Sequence, residues 1–217
     1  MDNLQLITGN KNFSPSSLRA WLLLQEFDIS FTEIVLELYK SDSVEKVGLY
    51  SPSLQVPVLI HNDIKVWDSL AICEYISETF LEHRGWPMNT KKRAAARSIA
   101  TELHADFQHF KEEWPMNCQL SLKLKPSEAI EKEIARLDAI IYCCRHKHGD
   151  GGEYLFGNFS ISDCMFAPFA IAMKAYGAQL SHKSQEYMTT LLNNPHMQWW
   201  LEQAESELEE MDWGKTA

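Results

Sequence analysis

Three short stretches hold side chains whose types and spacing suit the binding of an anion or of an exposed peptide backbone. In Phe13-Ser14-Pro15-Ser16-Ser17-Leu18 a serine stands just before a proline and an apolar run. Ser14 fits a helix N-cap, Pro15 the first helical position, and Phe13 a staple against Leu18. A hydroxyl at the positive end of a helix also suits an anionic sulfur and would lower the pKa of a bound thiol. Capping and thiolate binding ask for the same residues, so this stretch alone leaves both open. Pro57 interrupts the strand-like Val56-Pro57-Val58-Leu59-Ile60. It fits as an ordinary trans proline on an edge strand, or after a cis bond at the sheet's edge that turns the Val56 backbone outward to a ligand. Trp67-Asp68-Ser69 precedes another helix. Free N–H groups and the Ser69 hydroxyl suit a carboxylate there, and Asp68 suits an α-ammonium, with a plain cap again the alternative.

The elements that must position these residues alternate over the first eighty positions. Strand-like runs at 4–8, 31–36, 56–60 and 64–66 are interleaved with helical periodicity at 15–27, 43–49 and 69–80. The order β-α-β-α-β-β-α predicts a mixed four-stranded sheet with helices on both faces, its last two strands antiparallel around His61-Asn62-Asp63. Residues 82–90, with Gly85 and Pro87, read as a linker. Beyond it only helical patterns remain, at 91–113, 126–147, 162–176, 184–192 and 195–210. The expectation is an α+β chain of two domains: residues 1–81 thioredoxin-like, residues 91–217 an all-α helical bundle with a cleft against the first.

Placed at three strand-to-helix edges of one sheet, the three stretches would line one rim. They would present in turn a sulfur site, a backbone edge and a zwitterion site. Glutathione, with its thiol, its peptide backbone and its γ-linked amino acid, fits that set.

Leu54-Gln55-Val56-Pro57-Val58-Leu59 followed by Asp68-Ser69-Leu70-Ala71-Ile72 resembles the glutathione-site signature of the cytosolic glutathione transferases. The resemblance implies a cis Pro57, a Val56 backbone paired with the cysteinyl unit, and a γ-glutamyl end held by Asp68 and Ser69. Asn12 to Arg19 resembles the first-helix start of serine-type classes, so Ser14 would bond the sulfur, with Ser16 as the alternative. Lys40 sits like the lysine that meets the glycine carboxylate in tau-type members. Phe156-Gly157-Asn158-Phe159-Ser160-Ile161-Ser162-Asp163 resembles the family's helix-capping motif, in which Ser160 and Asp163 form a capping box. The stretch from Arg97 through Glu102-Leu103-His104 to Trp114-Pro115-Met116-Asn117 resembles the fourth helix of a bacterial, zeta-like subgroup. In two places the chain departs from zeta-type proteins: Pro15 replaces their second serine and Ser16 their cysteine. No cysteine lies near Ser14, which argues against a mixed-disulfide mechanism. The resemblance implies a homodimeric transferase that conjugates glutathione to small hydrophobic electrophiles. A glutathione-dependent isomerase of the maleylacetoacetate type and a non-catalytic glutathione-fold binding protein are the alternatives.

Composition narrows the partners. A net charge of −10 without a long basic run argues against nucleic acid, yet leaves room for a locally positive pocket that holds a small anion. The N-terminal residues do not read as a signal peptide, and no apolar run is long enough to span a membrane. Five cysteines, odd in number and without CxxC spacing, read as reduced thiols in a cytoplasm. Phe13, His104, Phe107 and Trp114 are candidates for the second-substrate pocket, although aromatics at helical spacing are more often core. His146 and His148 beside a glycine-rich loop imply no third ligand, so no metal is expected. Glu202 to Glu210 reads as a charged helical face.

Overall fold

The computed structural model describes residues 3–207. Strand β1 (Leu4–Gly9) is buried at every position but Gln5, the pattern of a strand covered on both faces. It pairs in parallel with β2 (Thr32–Leu36) and antiparallel with β3 (Val58–His61). β3 turns through Asn62-Asp63 into antiparallel β4 (Ile64–Trp67), giving the order β2-β1-β3-β4. Helices α1 (Pro15–Glu26), α2 (Ser43–Gly48) and α3 (Ser69–Phe80) complete a thioredoxin-like first half.

The register decides where the loops emerge. Gly9 lies opposite Leu36, Ile7 opposite Val58, and Val58 opposite Trp67. The ends of β1, β2 and β4 and the start of β3 therefore share one edge of the sheet. The Val56–Pro57 bond is cis. Pro57 lies just before β3 rather than within it, and β3 is an inner strand, not an edge. A residue without an N–H costs no ladder bond at that position.

The second half is helical apart from two isolated bridges within 154–158. It comprises α4 (Thr90–Ala105), α5 (Gln108–Glu113), α6 (Glu128–His148), α7 (Ile161–Tyr176), α8 (His182–Leu192) and α9 (Pro195–Glu205). The helix expected over 91–113 is broken at Asp106 and Phe107. Phe107 takes a left-handed backbone (φ 65), and its ring packs 5.4 Å from Phe169 inside the core. Core burial of that ring accompanies the break in the helix. The last helix ends at Glu205; positions 208–210 of the expected charged face lie outside the described residues.

Helix α7 is buried at fifteen of sixteen positions and forms the axis of the helical half. Asp163 in its first turn accepts hydrogen bonds from the N–H of Leu155 and of Ser160 and from the hydroxyls of Ser160 and Tyr187, at 2.9–3.1 Å. The capping box expected from Ser160 and Asp163 is present. Removing this carboxylate leaves four buried donors without an acceptor. Asp163→Ala should lower unfolding stability by about 3–5 kcal/mol, read from the urea midpoint.

Candidate functional site

Ser14 stands at the N-cap of α1, but its hydroxyl caps no helix N–H. It donates instead to Ser17 Oγ at 2.7 Å, and Ser17 Oγ also accepts from the Gly9 N–H at 3.1 Å. The end of β1 and the start of α1 are thus tied through Ser17, and Ser14 lies just below the surface with its proton turned inward. Ser16, half-buried, opens to the cleft on both sides. Phe13, expected to staple against Leu18, meets the ring of Tyr39 edge-on at 6.3 Å.

The loop that delivers Ser14 is held from the far end of the chain. Glu207 accepts from the N–H of Lys11 and of Asn12 at 2.6 and 2.9 Å. Trp200 Nε1 donates to the Lys11 carbonyl at 2.9 Å. Lys11 pairs with Glu33 at 2.8 Å and lies over the Trp200 ring. Asn12 Oδ1 accepts from the Cys118 N–H at 2.7 Å. The nearby Cys118 thiol donates to the Lys11 carbonyl, and burial pushes its pKa up to about 12, so it stays protonated.

At the β3 entrance, neither the N–H nor the carbonyl of Val56 has a partner among the described residues. At the α3 entrance Asp68 adopts φ 75, ψ 131, a conformation that a residue with a Cβ keeps only where its surroundings impose it. Its Oδ1 accepts from the N–H of Leu70 and Ala71, which removes two of the donors expected to be free for a carboxylate. Ser69 keeps both its N–H and a buried hydroxyl without partners among the described residues. Oδ2 of Asp68 lies 2.9 Å from His104 Nε2, across the domain boundary. Burial alone would raise the Asp68 pKa; the bonds from His104, Ala71 and Leu70 outweigh it and hold the carboxyl below its usual range. One lone pair of Oδ2 is left for an ammonium group.

Arg19, one turn beyond Ser16 on α1, is buried and faces the other nitrogen of the same imidazole, with NH1 3.4 Å from His104 Nδ1. A guanidinium only donates, so Nδ1 is the acceptor and the Nε2 proton points to Asp68. Burial brings Arg19 down to about 10, which leaves it charged at neutral pH.

Two adjoining hollows meet at Phe13, Pro15, Ser16, Tyr39 and Gln55. One, of about 470 Å³, runs along the sheet edge past Ser14 and Val56 to Ser43 and Val47. The other, of about 510 Å³, lies between the domains against His104, Phe110, Lys111, Trp114 and Phe169. Of the expected pocket residues Phe13, His104 and Trp114 line the second hollow; Phe107 does not, being core, and Phe110 takes that position. Lys40 is exposed and lines neither hollow, although Tyr39 and Ser43 on either side of it do. His146 stacks on Tyr142 and His148 on Phe156, and the described residues contain no metal-binding group. A third hollow, of about 450 Å³ beside Trp86 and Phe156, lies at the linker away from the rim. Arg19 and Lys111 had no assigned role in the sequence. The available signal was an arginine at a buried position of α1, three residues after Ser16.

A thioredoxin-like domain whose first helix packs on a helical bundle, with a hydroxyl, a cis-proline and an acidic-serine pair on one edge of its sheet, has the glutathione transferase fold. Residues 13–79 match the family described as glutathione S-transferase, N-terminal domain. It is 29% identical over 173 residues to glutathione S-transferase 1 of Dianthus caryophyllus, spanning 74% of this chain and 75% of that one. It is 22% identical over 170 residues to a stringent starvation protein A homolog of Coxiella burnetii, with 75% and 76% covered. A solved glutathione transferase homolog from Burkholderia GL BGR1, with bound glutathione, superposes with a TM-score of 0.70 at 24% identity, over 94% of this chain and 100% of that one.

The carboxylate of Glu207 holds two backbone N–H groups next to the Ser14 turn. In Glu207→Ala the Lys11 and Asn12 amides should exchange with deuterium at least about tenfold faster, a local loss of about 1.4 kcal/mol.

Proposed function

We propose that the protein is a serine-type glutathione transferase that joins the glutathione thiolate to small apolar electrophiles in the cleft between residues 1–81 and 91–217. The observation that carries this reading is the single sheet edge from which the Ser14, Val56 and Asp68–Ser69 turns emerge, next to an aromatic hollow. Glutathione would lie along that edge as a co-substrate. Its cysteinyl unit would pair with Val56, its γ-glutamyl carboxylate would meet Ser69, and its ammonium the remaining lone pair of Asp68. Lys40 would reach the glycine carboxylate from its exposed loop.

The sulfur would fall at the start of α1. On binding, the Ser14 hydroxyl turns from Ser17 to the sulfur, and the positive end of α1 adds to its field. A thiol pKa about two units below the ordinary value near 8.5 would make much of the bound thiol a thiolate at neutral pH, a stabilisation of about 2.7 kcal/mol. Attack on the electrophile follows in the hollow between Phe13 and Trp114, with His104 at its wall. Ser16 is the alternative hydroxyl, since it is the more exposed of the two. No metal takes part in this mechanism. The resemblance of residues 97–117 to a zeta-like fourth helix leaves a glutathione-dependent isomerase as the finer alternative, and it would not consume glutathione. The Coxiella relative, which is not named as a transferase, supports a non-catalytic reading, and that reading requires no turnover of any electrophile.

The exposed Leu49, Leu54 and Trp67 of the first domain support a homodimer, and light scattering should return twice the chain mass. The five free cysteines support a reducing compartment such as the cytoplasm; among the described residues no helix is long and apolar enough to cross a membrane.

Ser14→Ala should lower kcat/KM for a chlorinated nitroaromatic by at least about tenfold while glutathione affinity stays close to that of the wild type. It should also raise the pKa of the bound thiol, read from thiolate absorbance. An unchanged thiol pKa in Ser14→Ala with a raised one in Ser16→Ala would transfer the role to Ser16. Stoichiometric loss of glutathione separates conjugation from isomerisation.

A further inference from the structure

The chain carries a net charge of −10, yet the hollow between the domains is lined by Arg19, Lys111 and His104 and by no aspartate or glutamate. Apart from Ser16, Tyr39 and Gln55, its remaining wall is apolar, with Phe13, Phe110, Trp114 and Phe169 prominent.

Arg19 is nine-tenths buried or more and poorly satisfied. Its two contacts, to His104 Nδ1 and to the Leu103 carbonyl, are at 3.4 and 3.5 Å, beyond the usual range of a good hydrogen bond. Its Nε has no partner. Asp68, the acid nearest in function, spends its free oxygen on His104 rather than on Arg19. Buried charge is normally retained only when paired and hydrogen-bonded, so an incoming anion would complete this group. Lys111, on α5, gives one of its three protons to the His104 carbonyl at 2.9 Å and keeps the others. Burial, and then the charge of Arg19, depress its basicity against the opposing fields of Asp106 and Glu133, so the two cations feel one another.

Building on the transferase reading, we propose that the second substrate is an aromatic electrophile bearing a carboxylate, with Arg19 and Lys111 as the specificity-determining residues. The carboxylate sits between the two cations and the ring lies among Phe13, Phe110, Trp114 and Phe169. Ser14 precedes Arg19 by five residues, about 7.5 Å along the helix axis. That span accommodates a para carboxylate at Arg19, the ring, and the attacking sulfur beside Ser14. The anion thereby aims the reacting carbon at the thiol end of α1. For 4-chloro-3-nitrobenzoate the thiolate sulfur forms a bond to the ring carbon. Chloride leaves with the C–Cl electron pair, and the proton released on thiol ionisation goes to solvent.

The test compares 4-chloro-3-nitrobenzoate with the uncharged 4-chloro-3-nitrobenzamide, dividing each kcat/KM by the uncatalysed rate with glutathione. The wild type should favour the carboxylate by at least about tenfold. Lys111→Met should reduce that ratio several-fold; Lys111→Arg should preserve it. A ratio near one in the wild type, or one that Lys111→Met leaves unchanged, overturns the proposal. Turnover of the amide without a carboxylate preference spares the transferase reading and sinks only this inference. Should neither chloride be turned over, that reading fails and binding decides the present one. Quenching of tryptophan fluorescence by 4-nitrobenzoate and by 4-nitrobenzamide needs no glutathione. The benzoate should bind at least about tenfold more tightly in the wild type, and equal affinities overturn the proposal.

Discussion

Helix α1 belongs to both domains at once, and the rest of the molecule is arranged around that burial. Residues Ser17 to Leu24 are all buried, because one face of the helix lies on the sheet and α3 while the opposite face meets α7 and α9. Leu18, Trp21, Leu22, Leu23 and Leu24 each contribute about 1.5–3 kcal/mol by burial relative to exposure. Trp21 is stacked on Trp199 at 4.9 Å and meets Trp200 edge-on at 5.2 Å. A helix so enclosed cannot turn on its axis. Ser14 and Ser16 at its start and Arg19 one turn later are therefore fixed toward the sheet edge and the cleft.

Polar contacts then complete what packing begins. The Asp68–His104–Arg19 chain joins the entrance of α3, the end of α4 and the middle of α1. It ties the proposed zwitterion site to the proposed electrophile hollow through a single imidazole. On the opposite flank, Glu207, Trp200 and the Cys118 thiol fasten the 11–12 backbone. The loop before Ser14 is short of regular structure but not of partners. This is how an irregular segment can present a reactive group with defined geometry.

Much of this was legible in the residues. The β-α-β-α-β-β-α order, the antiparallel final pair and the capping box at Asp163 follow from local chemistry, and the cis bond at Pro57 from the family resemblance. Other features were out of reach. Helical periodicity runs smoothly through Asp106 and Phe107, yet the helix breaks there and the Phe107 ring is buried against Phe169. The serine at the N-cap reads as a cap, but its hydroxyl goes to Ser17. Asp68 and Ser69 read as neighbours with one task, yet Asp68 takes its own helix's donors and His104 while Ser69 is left open.

The sequence by itself determined which residues form strands and helices, because periodicity, caps and turn residues act within a few positions of one another. It also placed three reactive stretches at element ends. Only the tertiary structure decided their company. Arg19, Asp68 and His104 are separated by dozens of residues, and Glu207 by nearly the whole chain from Asn12. Whether such groups meet depends on strand register and on how α1 is wedged between two domains, interactions that no local window of sequence contains.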